Sequence, residues 1–244
     1  MLRRLEILPV PGLPEVGPGD DLAGQIITAC LEGEADGFPP VGLADNDVLV
    51  VSQKVVSKAE SRQVIVDPND PLAHKPLVLA ESVRVLRRRG ELIISETKHG
   101  FVCANAGIDR SNVAPNVALL LPEDSDRSAR RIRDAIRHRA KTEVAVIVAD
   151  TFGRPWRRGL TDIALGCAGI LPVLDLRGSD DALGRELHVT EVCIVDELAG
   201  AAELVRGKAD GIAVAVIRGV DPQWFGEGSV VEDIVRNPAE DLFR

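Results

Sequence analysis

Val144-Ala-Val-Ile-Val-Ala-Asp-Thr-Phe-Gly-Arg-Pro-Trp-Arg-Arg-Gly-Leu-Thr-Asp-Ile-Ala-Leu-Gly166 is the stretch on which a reading of this chain turns. Residues 144–149 are an unbroken apolar run rich in valine and isoleucine, the pattern of a strand buried on both faces. The run stops at Asp150. Thr151, Gly153, Arg154, Arg157, Arg158 and a second acid, Asp162, follow it. A carboxylate at the mouth of a core is costly unless it is paired or used. The guanidinium groups beside it suit anions.

Outward from that strand, residues 6–10 read as a first strand. Residues 22–31 read as a helix capped by Asp20 or Asp21, with Leu22, Ile26, Ile27 and Cys30 on one face. Residues 48–51 form a second buried strand that runs into a polar turn over 52–58. The apolar spacing of 77–89 predicts a helix with a basic last turn, stopped by Gly90. Residues 92–95 read as a short strand. A second basic helix spans 125–140, with Ala129, Ile132 and Ile136 as its buried stripe. Residues 161–168 read as the start of a helix. Beyond them, 191–195 and 212–217 are strands, and 196–206 and 229–235 helices. Several strand pairs lack a crossover helix, so a mixed α+β fold is expected rather than a doubly wound sheet. Two subdomains are expected, 1–75 with 178–244, and 76–177.

Composition narrows the function. With 29 basic against 38 acidic residues the net charge is −9, and tyrosine is absent. Such a chain lacks both the electrostatic footprint and the stacking platforms of a nucleic-acid binder. Its four scattered cysteines form no CxxC or Cys/His cluster, which argues against zinc and for buried free thiols. No apolar run reaches bilayer length, and no signal-peptide core follows the first residues. A soluble, cytoplasmic protein without membrane or nucleic-acid partners is expected.

Three polar segments are candidates for chemistry. Gln53-Lys-Val-Val-Ser-Lys58 offers Lys54 and Lys58 just after a buried strand, where lysine suits phosphate. A solvated strand end carries the same residues, and the glycines of a Walker loop are missing. Residues 96–112 gather Glu96, Lys98, His99, Asn105, Asp109, Ser111 and Asn112 around a middle too apolar for a solvated loop. In the opening stretch, Asp150 and Thr151, joined by Asp109, are oxygen donors suited to Mg²⁺ or Mn²⁺. Arg154, Arg157 and Arg158 suit phosphate or carboxylate. The competing reading is an ion-pair network of these arginines with Asp150 or Asp162.

Four blocks carry a resemblance: Val55-Val-Ser-Lys-Ala-Glu60, Glu96-Thr-Lys-His-Gly100, Ala106-Gly-Ile-Asp-Arg-Ser-Asn-Val113 and Ala149-Asp-Thr-Phe-Gly-Arg-Pro-Trp-Arg-Arg-Gly-Leu-Thr-Asp162. Glu6-Ile-Leu-Pro-Val10, Gly12-Leu-Pro-Glu15 and Asn237-Pro-Ala-Glu-Asp-Leu-Phe243 support them. Together they resemble the coenzyme F420-0:L-glutamate ligase family along essentially the whole chain. The resemblance implies a two-domain α+β subunit in an intertwined homodimer. It implies GTP-dependent addition of L-glutamate to the lactyl carboxylate of F420-0, and onward to F420-1, helped by K⁺. It also implies that Asp109 and Asp150 bind a first Mg²⁺ or Mn²⁺ and Thr151 a second. Leu13, Pro14, Glu15, Val16, Gln53, Lys58 and Asn112 would line the GTP site. For catalysis, Asp150, Arg154 and Arg158 are the candidates, the arginines by their chemistry rather than by the motif. Some actinobacterial members carry a C-terminal flavin-binding reductase domain, which is not expected here. The alternatives are a metal-dependent phosphohydrolase and a non-catalytic nucleotide- or F420-binding protein.

Overall fold

A computed structural model describes residues 4–35, 37–208 and 210–242. Phe243 of the C-terminal block lies outside these. Among the described residues, twelve strands and six α-helices follow in order: β1 (Glu6–Val10), α1 (Leu22–Glu32), β2 (Val48–Ser52), α2 (Gln53–Ala59), β3 (Gln63–Ile65), α3 (Lys75–Ala80), β4 (Ser82–Arg89), β5 (Leu92–Thr97), β6 (Val102–Ala104), β7 (Val117–Leu119), α4 (Ser125–Ala140), β8 (Ala145–Arg154), β9 (Arg157–Ala168), β10 (Val173–Asp175), β11 (Glu191–Cys193), α5 (Ile194–Arg206), β12 (Val214–Arg218) and α6 (Val230–Asp233). The fold is mixed α+β, as the strand pairs without crossovers predict.

A five-stranded sheet of order β1-β12-β2-β8-β9 is the centre. Only the β2–β8 pair is parallel; the other three are antiparallel. Alternation along the strands sorts the core. Val48, Val50, Ala145, Ile147, Ala215 and Ile217 face one cluster, which α5 covers through Val195, Leu198, Ala199 and Ala202. Leu49, Val51, Val146, Val148, Val214 and Val216 face the other, covered by α1 and α4 through Ile26, Cys30, Ala129, Ile132 and Ile136. Both faces are buried, which is why these strands read as continuous apolar runs. Of the four cysteines, all free, Cys30, Cys103 and Cys167 are buried. Among the described residues no helix is long and apolar enough to cross a membrane.

The sheet crosses the expected division of the chain. β8 and β9 come from the proposed 76–177 unit, yet they complete a sheet whose other strands come from the proposed 1–75 and 178–244 unit. A smaller sheet, β4-β5-β6, has its own apolar cluster of Val78, Ile93 and Ala106.

Three local expectations are corrected. Residues 77–89 are not one helix: α3 ends at Ala80, and 82–89 is a strand paired with β5 through a turn at Gly90, whose φ is +55°. Val83, Val85 and Arg87 to Arg89 are exposed there, so no buried helical stripe exists to hold a helix together. Residues 161–168 are strand, because β9 pairs with β8 from Arg157↔Arg154 to Ala168↔Val146 and the ladder overrides helical propensity. Residues 53–59 are helix rather than turn, with the Ser52 hydroxyl accepting from the Lys54 amide as the cap.

β9 lies against the first turn of α4 so closely that Gly166 has no room for a side chain. A Cβ there would stand 2.1 Å from the Ser125 carbonyl carbon. The buried Asp126 carboxylate locks this contact, accepting from Cys167 N (2.8 Å), Val230 N (3.0 Å) and Ser229 Oγ (2.7 Å). Gly166→Ala must displace backbone, and should destabilise the protein by about 1–3 kcal/mol in urea denaturation. A loss below a few tenths would show that α4 is free to move.

Candidate active site

One end of the central sheet gathers the polar residues. β2 and β8 run parallel with Ser52 opposite Ala149, so both deliver their next residues to the same edge. β1 ends beside the start of β12, Val10 opposite Val214, which brings the 11–16 loop and the 211–213 approach to that edge as well. Ligand sites in open α/β sheets form at such carboxyl ends. Here they border a cavity of about 520 Å³.

Its wall contains Leu13, Pro14, Glu15, Val16, Lys58, Asp109, Asn112, Asp150 and Thr151, all singled out from sequence. Three others are placed elsewhere. Gln53 is fully buried beneath the wall, its amide donating to Ser57 Oγ (2.6 Å) and Leu120 O (3.2 Å). Arg154 and Arg158 lie on the exposed tip of the β8–β9 hairpin, outside the wall. Asp150 is not the end of its strand either: β8 continues through it to Arg154 and turns at Pro155-Trp156, where Trp156 takes a φ of +57°.

The competing ion-pair network is present, but with other partners. Asp162, whose side chain is 1% exposed, pairs with Arg206, 4% exposed, and lies 3.6 Å from Lys208 Nζ. Thr151 donates its hydroxyl to Asp162 Oδ1 and accepts from Lys208 Nζ. Lys208 also reaches Glu203 Oε1 at 2.7 Å. In the same cavity, Lys54 Nζ is 2.8 Å from Asp109 Oδ2 and 2.6 Å from Ser111 Oγ. The Ser111 amide donates to Asp109 Oδ1 (2.6 Å). Lys58 pairs with Glu15 at 2.5 Å, joining two expected nucleotide residues.

These arrangements set the charge states. Burial pushes the Asp150 carboxyl up to about 7, and the Asp109 and Asp162 charges push the same way against the Thr151 amide and Lys54. Burial also opposes ionisation of Asp109, but hydrogen bonds from Lys54 and Ser111 outweigh it and hold the group below its ordinary value. Among the described residues no three His, Cys, Asp or Glu side chains are grouped to hold an ion alone. The backbone is bent hard at the same wall, with Asn105, Ala106 and Gly107 at φ of +50°, +53° and +70°. An alanine in this region is strained, and such strain clusters at ligand-facing segments.

The family model described as F420-0:gamma-glutamyl ligase matches residues 12–219. This chain belongs to that family. The match takes in every wall segment, from Leu13 to Ala213. Proteins named coenzyme F420:L-glutamate ligase from Methanothermobacter thermautotrophicus and Methanopyrus kandleri are each 39% identical to it, covering 98% and 100% of this chain and 99% of each relative. One from Haloarcula marismortui is 40% identical over 98% of this chain and 96% of its own length.

Sequence reasoning missed the contribution of α5 to the F420-0:gamma-glutamyl ligase cavity. Glu203, Arg206 and Lys208 form its far wall. The signal was Arg206-Gly-Lys208, which reads as an ordinary basic helix end closed by glycine.

Proposed function

We propose that this chain is a GTP-dependent ligase. It joins L-glutamate to the carboxylate of coenzyme F420-0 through an acyl phosphate, and releases GDP and phosphate. The name shared by the relatives supports the acceptor and the amino acid. The observation that carries the rest is the convergence, in one cavity, of the expected GTP residues Leu13 to Val16, Lys58 and Asn112 with the oxygen donors Asp109, Asp150 and Thr151.

The chemistry follows from these groups. A carboxylate is a poor acyl donor. Its oxygen attacks the γ-phosphorus of GTP, the bond to the bridging oxygen breaks, and GDP leaves. The glutamate amine then attacks the acyl carbon, the C–O bond to phosphate breaks, and the amine proton is lost to solvent or to the departing phosphate. Lys58 and Asn112 would hold the nucleotide, and the acids would take the protein's share of Mg²⁺ or Mn²⁺ ligation. With few protein ligands on hand, a hard cation that keeps waters and shares phosphate oxygens fits the donor set. The bound ion would neutralise charge on the phosphates. Arg154 and Arg158, exposed on the hairpin tip, would meet an acidic acceptor entering from outside rather than touch the phosphoryl group.

K⁺ assistance and a homodimer are part of the same proposal. The open edge of β4, with Val83 69% exposed, supports a partner subunit.

Mass spectrometry tests the reading. Incubation with F420-0, GTP, L-glutamate and Mn²⁺ should yield acceptor heavier by one or more glutamyl residues, with one GDP and one phosphate per addition. Phosphate release from GTP without acceptor would favour a phosphohydrolase. Binding without product would favour a non-catalytic protein.

A further inference from the structure

Two lysines touch the groups proposed to bind metal, one each. Lys54, in the first turn of α2, contacts Asp109 and Ser111. Lys208, just beyond α5, contacts Thr151, with Glu203 and Asp162 beside it. Asp150 lines the same cavity. The surrounding cations are not alike. Arg206 is almost wholly buried and held by Asp162 and Glu203, so it is fixed in place. Lys54 and Lys208 are 24% and 61% exposed, with four-carbon stems that can swing. A divalent ion on Asp109 or Thr151 would bring a second positive charge against the ammonium already there, and the two repel at such range.

We propose that Lys54 and Lys208 are charge placeholders: their ammonium groups neutralise the acids they touch, Asp109 on one hand and Asp162 with Glu203 on the other, until metal entry displaces them onto the phosphoryl oxygens of the bound nucleotide. The proposal rests on the metal reading above and adds to it. Lysine suits both duties, since an ammonium is a compact charge that pairs with carboxylate or phosphate without fixed geometry. The two residues are thus positioning groups before the nucleotide arrives and phosphate ligands afterwards.

The test is Mn²⁺ binding by electron paramagnetic resonance, without nucleotide, on the full chain. Lys54→Met and Lys208→Met should each bind Mn²⁺ about three- to tenfold more tightly than the parent, since one repelling charge is gone. Lys54→Arg and Lys208→Arg, which keep the charge, should stay near the parent. With GTP and Mn²⁺ both saturating the parent, the Met variants should need several-fold more GTP. Unchanged or weaker Mn²⁺ binding by both Met variants, in a parent that binds the ion, overturns the placeholder role alone. A parent that binds no Mn²⁺ with or without GTP overturns the metal reading and this proposal with it. Thermal melts matching the parent show that the variants are folded.

Discussion

Asp150→Asn should lower the rate of glutamate addition by about 10²–10³, the usual loss when one preorganised group is removed from a charge-stabilising site. The residue follows Ala149, the last residue of β8 paired with β2, and the charges of Asp109, Asp162 and Lys54 all act on it. Asparagine keeps the shape but cannot supply a negative oxygen. The fold should not suffer, and the pH dependence of stability gives a separate check. Folding raises this carboxyl from 3.8 to about 7. Between those values the folded protein binds more protons than the unfolded chain, so stability is complete below about pH 4 and falls as pH rises through 7. Asparagine has nothing to titrate. The melting temperature of metal-free Asp150→Asn should therefore gain on that of the parent from pH 4 to 7 and hold its lead above. Full turnover in the variant would remove Asp150 from the mechanism, and a constant melting difference would show that the carboxyl is solvated.

Arg206→Met should produce the largest loss of stability, about 3–5 kcal/mol, because it takes the buried partner from an Asp162 carboxylate with almost no access to water, leaving it the Thr151 hydroxyl and a lysine 3.6 Å away. For a chain of this length, that is a fall of about 6–20 °C in melting temperature. Combining it with Asp162→Asn should restore most of the loss, since the charge that needed a partner is then gone. Thr151 would keep a hydrogen-bond acceptor in the asparagine carbonyl. If the single variant costs less than about 1 kcal/mol, the pair is hydrated and the wall of the cavity is softer than its geometry implies.

What could be read without coordinates, and what could not, follows from where each signal lies. The strand at 144–149 and the helix at 125–140 were legible because burial on both faces, or on one stripe, writes itself into residue order. Residues 82–89 misled because Leu79, Val83 and Leu86 have a spacing that suits a helix, while the real support of 82–89 is hydrogen bonding to β5. Residues 161–168 misled for the same reason: alanine and leucine favour a helix alone, but β8 needed a partner on its open side. Within the cavity, Asp109, Asp150 and Thr151 were visible as oxygen donors next to apolar segments. Gln53 looked like a polar residue after a strand and instead satisfies Ser57 and a carbonyl inside the core. Asp162 was suspected of pairing with the nearby arginines. Its true partner, Arg206, is 44 residues away in sequence, a distance that no local pattern encodes.

The place of β12 carries a consequence for how the chain is made. That strand lies between β1 and β2, pairing with Glu6–Val10 on one side and with Val48–Val51 on the other. Until residues 214–218 leave the ribosome, two of the most apolar segments of the amino-terminal quarter have no neighbour along one edge. A growing chain must carry these bare edges until that strand emerges, and unpaired edges are where nascent proteins stick to one another. The last wall of the cavity is completed by the same late segment, from Glu203 to Ala213. A complete cavity and protection from aggregation therefore arrive together, and chaperone demand in an expressing cell should fall on the interval before residues 214–218 emerge.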